Sequence, residues 1–309
     1  MELSIIIPTY NVELYLEECL DGIYKLKSIE KEIILIDDGS SDNSYKIAKS
    51  YQNKHPKITT IIHQKNGGSS VARNAGIKVA KGKYTYFMDS DDYIEPELFT
   101  TLFNSGKEIN LDIIVGRGKK VGSSMDDQYL SISQTALKKG VISGKEFLQS
   151  MFIDSKNKTW DNVKYRPEIW DSIYKTSLLK DNNIKFQEGL WLHEDELFTP
   201  QAYINAKKIK LFDIVFYHYR QRENSIMDKN KHSSRLHLLD GVADTFYHND
   251  LSTVFSNDFL LQWCWKDKHN VTFSQFKKVL KMKKFSMKGY IKLILLFLYC
   301  IKNKVMSFI

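Results

Sequence analysis

Short apolar runs alternate with amphipathic stretches through the first 115 residues, and this rhythm constrains the fold more than any other feature. Strands are expected at Leu3–Ile7, Glu32–Ile36, Ile58–His63, Tyr84–Met88 and Asp112–Val115, and helices at Val12–Leu26, Asn43–Gln52 and Ser70–Ala80. The strand segments are rich in β-branched and aromatic residues and end at polar breaks. Asp42 and Ser69 stand where N-caps are expected for the second and third helices. Strand–helix repeats of this kind build a mostly parallel sheet with helices on both faces. Ligands of such sheets lie beyond the C-terminal ends of the strands. Tyr10, Asp37, Asp38, Asn66 and the cluster Asp89–Asp92 all follow strands, so they converge on that edge. The expected class is α/β: a doubly wound, mostly parallel sheet with a mainly helical C-terminal extension.

The cluster Asp89-Ser90-Asp91-Asp92 places three carboxylates directly after Tyr84–Met88. In an extended segment Asp89 and Asp91 would point the same way. Two carboxylates aimed together repel each other unless a cation or a set of donors lies between them. Hard oxygen ligands suit Mg²⁺ or Mn²⁺, and those ions suit a diphosphate. The plain alternative is a solvated acidic turn capping the helix at Glu95-Pro96-Glu97.

Gly116-Arg117-Gly118-Lys119-Lys120-Val121-Gly122 follows a strand and imitates a dinucleotide fingerprint. Its last glycine comes one residue too late for G-x-G-x-x-G, so the segment is expected to continue into a hairpin or loop. Beyond it, residues 120–165 show no clear period. Order returns at 166–225, with a helix expected around Trp170–Leu179 and strands around Ile209–Phe212 and Ile214–Arg220.

The 309 residues suit one sizeable domain with an appended piece, and an apolar content of 42% is ample for a core. Cys19, Cys264 and Cys300 have neither paired nor metal-type spacing, which fits a reducing, cytosolic setting. No basic region precedes the apolar run Ile5-Ile6-Ile7, so no signal peptide is expected. The net charge of +8 is uneven: Lys266–Ile309 holds eleven lysines against Asp267, a sum of +10 that leaves −2 for the first 265 residues. The sequence pI near 9.0 therefore belongs to the tail. With no helix-turn-helix, zinc-finger or RNP-type signature beside it, no nucleic-acid partner is expected.

Four segments together resemble a family 2 glycosyltransferase of the GT-A fold. They are Ser4–Asn11, Ile36–Asp42, Asn66–Gly76 and Met88–Asp92. The nearest likenesses are bacterial enzymes that build capsular polysaccharide, exopolysaccharide, O-antigen or wall teichoic acid. The resemblance implies a UDP-sugar donor, with Pro8, Tyr10, Asp38, Asn66, Arg73, Asp89 and Asp92 on the nucleotide-sugar side. Within that set Tyr10 would stack on the base and Asp38 would accept the uracil N3–H. Asp37 would support the turn. Arg73 would bind the diphosphate or hold Asp89, and Asp92 would either hold a donor hydroxyl or be structural. Asp91 is implied as the ligand of Mn²⁺ or Mg²⁺. His218 is either a second ligand or a core histidine.

Glu194-Asp195 matches the family's Glu-Asp pair, which makes Asp195 the implied general base. Glu194 and Glu196 could merely favour the positive end of a helix. Where the family commonly carries a lysine, this chain has Trp170-Asp171-Ser172-Ile173-Tyr174. That departure touches the acceptor side alone.

The implied organisation is a catalytic domain over 1–225, divided into a nucleotide-sugar half at 1–115 and an acceptor half at 116–225. A helical basic region follows at 226–309. Its nine apolar residues Leu293–Ile301, bordered by lysines, are too few to span a bilayer but suit insertion at an anionic surface. The expected activity, as the resemblance implies it, is metal-dependent, inverting sugar transfer to a hydroxyl of a growing, lipid-linked glycan at the inner face of the membrane. The rivals are a nucleotidyltransferase on a similar sheet and a non-catalytic membrane adaptor.

Overall fold

Four parallel strands open the fold; three of them, largely apolar and buried, run inside the sheet, and the fourth, Thr59–His63, is a partly exposed edge strand. They are β1 (Leu3–Thr9), β2 (Lys31–Asp37), β3 (Thr59–His63) and β4 (Tyr84–Phe87). They pair in parallel in the order β3-β2-β1-β4, with Ile5 opposite Ile33 on one side and Tyr86 on the other. Helices α1 (Leu16–Tyr24), α2 (Ser44–Lys54) and α3 (Ser69–Val79) make the crossovers. The contact of α3 with β1 is close enough that a Cβ on Gly76 would lie 2.4 Å from Ile6 Cγ2.

The structure, a computed structural model, describes residues 1–122, 128–129, 133–153, 168–189 and 194–221. After β4 come β5 (Tyr93–Ile94), α4 (Pro96–Glu108), β6 (Ile113–Val121) and β7 (Gln128–Tyr129). Helices α5 (Gln134–Lys139) and α6 (Gly144–Ile153) follow, then a 3₁₀ turn at Ile169–Asp171 and β8 (Ser172–Lys175). The remaining described elements are α7 (Thr176–Asp181), α8 (Asp195–Asn205) and β9 (Ile209–Arg220).

Among the described residues a nine-stranded sheet runs through both halves in the order β3-β2-β1-β4-β8-β6-β9-β5, with β7 attached to β6. Strand β8 is antiparallel to both of its neighbours, β4 and β6, while β6 and β9 are parallel and β5 is antiparallel to β9. The parallel character is thus concentrated in the first four strands. This curled, mixed sheet is the GT-A arrangement that the sequence led us to expect.

Several local expectations need correction. The segment Trp170–Leu179 is not one helix: Ser172–Lys175 forms β8, and the helix begins at Thr176. The slot between β4 and β6 claims it, with Tyr86 OH donating to the Trp170 carbonyl at 3.0 Å and the Thr85 and Thr176 hydroxyls 2.9 Å apart. The stretch Gly116–Gly122 belongs to β6 as far as Val121, and Lys119 and Lys120 pair antiparallel with Tyr129 and Gln128 of β7, so it does run into a hairpin as expected. A Cβ on Gly116 would meet Phe216 at 2.6 Å and one on Gly118 would meet Trp170 at 2.4 Å, so these glycines make room for aromatic rings. The two expected C-terminal strands are one, Ile209–Arg220. Gly68, at φ 88°, takes the capping position expected for Ser69, and Asn43 takes that expected for Asp42. Asp42 Oδ1 nevertheless accepts the Ser44 N–H at 2.9 Å. Helices α5 and α6 fill part of the region that lacks a sequence period. The expected helical region 226–309 lies outside the described residues. Among the described residues no helix is long and apolar enough to cross a membrane.

Aromatic packing decides where α8 sits. Phe186 and Phe198 stack at 3.9 Å, and both meet Phe87 of β4 edge-on at 5.2 and 5.4 Å. The start of α8 is thereby held beside the residues that follow β4.

Candidate active site

The loops after β1, β2 and β3 are bound to one another by short polar side chains. Asn11, at φ 51°, turns its Oδ1 to accept the Ser41 N–H at 2.8 Å, and the Val12 N–H donates to Ser44 Oγ at 2.8 Å. Asp38 is buried and accepts Gln64 Nε2 at 2.7 Å and the backbone N–H groups of Gly67 and Gly68 at 2.9 and 2.8 Å. A carboxylate offers about four acceptor directions, so roughly one stays open for a ligand. Gly39 needs its φ of 76° and approaches Asn66 N so closely that a Cβ would lie 3.1 Å away. Tyr10 stands at the end of β1 with 46% of its surface exposed; Pro8, in the same strand, and Asn66, after β3, are half-buried. Asp37 pairs with His63 Nδ1 at 2.6 Å, yet its buried Oδ1 has no partner among the described residues.

The residues Asp89–Asp92 form a turn, closed by the Asp92 N–H donating to the Asp89 carbonyl at 3.2 Å. The extended arrangement expected for Asp89 and Asp91 is therefore replaced by a tighter one. Within the turn the carboxylates have different surroundings. Asp89 and Asp91 are half-buried, and Asp92 is buried. Tyr217 OH donates to Asp92 Oδ2 at 2.6 Å and the Arg220 N–H to Oδ1 at 2.7 Å. Of the two roles expected for Asp92, the geometry favours the structural one. Burial, with Asp91 and Asp89 alongside, pushes the Asp92 carboxyl well above its ordinary value.

Arg73 joins the two sides of the site. Its buried guanidinium donates through Nη2 to Asp89 Oδ1 at 2.7 Å and through Nη1 to Glu194 Oε1 at 2.6 Å. The same Glu194 oxygen accepts from Ser69 Oγ at 2.7 Å. Burial pushes the Glu194 carboxyl up, but Arg73 and the Ser69 hydroxyl outweigh it and hold the carboxyl below its usual value. Burial works against the Arg73 charge as well, and the Asp89 and Glu194 carboxylates more than restore it. Arg73 thus holds Asp89, one of the two roles expected of it. Glu194 does more than favour a helix end. Sequence pattern marked the Glu-Asp pair but gave no sign of the partner at position 73. Asp195 opens α8 half-buried, directly after the residue that Arg73 grips.

His218 is buried in β9, with Nε2 3.4 Å from Glu95 Oε1 and its ring tilted against Tyr93 at 4.4 Å. Among the described residues no group of three or more His, Cys, Asp or Glu side chains forms a metal cage. The donor chemistry still fits a hard divalent ion. Such ions are commonly held by one or two carboxylates together with substrate phosphates, and Asp91 and the second oxygen of Asp89 can supply the carboxylates.

Comparison with known proteins adds the family context. Residues 4–167 match the family described as Glycosyl transferase family 2. The chain is 35% identical over 225 residues to the uncharacterized glycosyltransferase EpsJ of Bacillus subtilis, covering 73% of this chain and 62% of that protein. It is 34% identical over 237 residues to the uncharacterized glycosyltransferase YibD of Escherichia coli, covering 76% and 64%. The chain therefore spans less than two thirds of the length of either relative. Among solved structures it is similar to Staphylococcus aureus TarS in complex with UDP-GlcNAc, with a TM-score of 0.66, 25% identity, and coverage of 96% of this chain and 79% of that one. A protein of that name is described as a poly(ribitol-phosphate) β-N-acetylglucosaminyltransferase and is 32% identical over 232 residues, covering 74% of this chain and 37% of that protein.

Proposed function

The chain belongs to glycosyltransferase family 2, and on that premise we propose that it is a metal-dependent inverting enzyme. It would move a sugar from a UDP-sugar to a hydroxyl of a growing, lipid-linked bacterial surface glycan. One observation carries this reading: a single guanidinium, Arg73, ties Asp89 of the acidic turn to Glu194, the neighbour of Asp195. The residue before the implied base is thereby tied to the acidic turn, which supports a shared site for donor and base.

In this proposal Tyr10 stacks on the uracil, Asp38 takes its N3–H, and Pro8 and Asn66 line the nucleoside. Asp89 reaches the nucleotide sugar while Arg73 holds it in place. Asp91 would hold a Mn²⁺ or Mg²⁺ ion, with His218 as its second ligand. The ion would supply positive charge to the diphosphate as UDP departs. Asp195 accepts the proton of the acceptor hydroxyl as that oxygen attacks C1 from the face opposite UDP. The hydroxyl becomes acidic only as the new bond forms, so the base must be close and oriented rather than strong. No covalent intermediate is required.

TarS bound to UDP-GlcNAc supports the choice of a UDP-sugar. Relatives named for poly(ribitol-phosphate) support a surface-glycan acceptor. The lysine-bordered tail supports a peripheral position on the inner membrane face. UDP release measured across a panel of nucleotide sugars, with and without Mn²⁺, tests the donor and the metal together. Full transfer in excess EDTA would refute the metal, and an anomer retained in the product would refute the single displacement. Loss of the tail before Lys281 is expected to release the protein from anionic vesicles while UDP-sugar binding persists.

A further inference from the structure

Arg220 has an unusually dense set of partners around the acidic turn. Its own N–H donates to Asp92 Oδ1 at 2.7 Å, and its Nε donates to the Asp91 carbonyl at 3.0 Å. Its Nη2 pairs with Glu18 Oε2 at 2.6 Å. The guanidinium lies 5.2 Å from the ring centroids of both Tyr15 and Tyr93. Residues from α1, β5 and the end of β9 thus meet on one side chain, and that side chain grips the turn at Asp91.

We propose that Arg220 is a positioning residue for Asp91, fixing its backbone so that its carboxylate is presented to the diphosphate side. The argument is geometric. Asp89, Asp91 and Asp92 repel one another, so a turn that carries all three needs donors to hold its shape. Arg73 supplies them at the Asp89 side chain, and Tyr217 at the Asp92 side chain. Asp91 is the member expected to meet a ligand, and Arg220 holds it through its carbonyl, leaving the carboxylate oxygens uninvolved in that bond. The directional Nε–H is essential to this role, and lysine cannot reproduce it. Glu18 and the two tyrosines fix the guanidinium in turn, because a long side chain left alone would spread over many rotamers.

This inference rests on the reading of Asp91 as a diphosphate- and metal-side residue, and the test separates the two. The affinity of the full chain for UDP is measured with and without Mn²⁺ in wild type, Arg220→Gln, Arg220→Lys, Asp91→Asn and the Arg220→Gln/Asp91→Asn double variant. Thermal unfolding of each variant runs in parallel. Arg220→Gln and Arg220→Lys are each expected to weaken Mn²⁺-assisted UDP binding about tenfold, with melting close to wild type. In the Asp91→Asn background the Arg220→Gln change is expected to cost almost nothing further. Equal losses in both backgrounds, or no loss from either Arg220 variant, would overturn the proposal. If Arg220→Gln unfolds the protein, Arg220→Lys and Glu18→Gln decide, since both keep a cation at position 220 and each removes one restraint; wild-type UDP affinity in both would overturn the proposal. A wild-type UDP affinity indifferent to Mn²⁺ would strike at the metal reading alone. The same double-variant cycle in plain UDP affinity would then decide Arg220.

Discussion

The loops that follow β1, β2 and β3 hold their functional carboxylate with near neighbours, whereas the acidic turn and α8 depend on residues far away in the chain. Asp38 takes its donors from Gln64, Gly67 and Gly68, all within 30 residues. Asp92 and Glu194 are held by Tyr217 and Arg73, at separations of 125 and 121 residues. The first kind of site can be assembled by one strand–loop–strand unit. The second exists only once the sheet has closed, with β9 alongside β6 and α8 against β4. The candidate site thus combines a carboxylate held by its own strand–loop unit, Asp38, with an acidic turn and helix start that only tertiary structure brings together.

The contrast is broken most severely at Arg73. Arg73→Leu leaves Asp89 and Glu194 without their shared cation, and removing one member of a buried ion pair typically costs about 3–5 kcal/mol. We expect a loss of that size in chemical denaturation, and a stable variant would show that the two regions do not depend on this link. The pair also predicts a pH signature. The folded Glu194 carboxyl lies below its ordinary value, so its contribution is complete above the unfolded value and fades as pH falls through the folded one. Glu194→Gln should therefore flatten the loss of stability on acidification relative to wild type.

Asp195→Asn tests the reaction end by itself. Turnover is expected to fall about 10²-fold or more while UDP-sugar affinity stays near wild type. A collapse of donor binding would instead assign Asp195 to the nucleotide end.

Gly76→Ala tests the helix-to-strand contact beneath the nucleotide end. Its new methyl would lie 2.4 Å from Ile6, so a destabilisation of about 1–3 kcal/mol is expected in thermal or urea unfolding. Asp92→Asn should have the smallest effect. It loses an acceptor for Tyr217 or Arg220 but relieves repulsion from Asp91 and Asp89, and we expect a net change within about 1 kcal/mol. Because the folded Asp92 carboxyl titrates above its ordinary value, it favours the fold at low pH, and that benefit is lost as pH rises through the folded value. The variant should therefore compare best with wild type at the alkaline end. A large loss of UDP-sugar affinity in Asp92→Asn would restore Asp92 to the donor site.

What the sequence determined by itself was the α/β class, the first four strands and the loops at their ends. Those strands are built on short runs of β-branched and aromatic residues and their breaks are polar, so the signal lies within a dozen residues of each position. The pairs Asp37-Asp38 and Asp89-Asp91 were legible for the same reason, whereas Glu194-Asp195 stood out through the family resemblance. The tertiary structure decided which member of each group faces inward. Asp92 is buried because Tyr217 and Arg220 reach it from β9. Glu194 is a partner of Arg73 because Phe186 and Phe198 dock α8 beside β4. It also decided that Ser172–Lys175 is a strand: its own composition allows a helix, and the open edge between β4 and β6 has hydrogen bonds to offer it. Propensity and motif act over a few residues, while pairing across the sheet is set by whichever segment satisfies the exposed backbone of its neighbours.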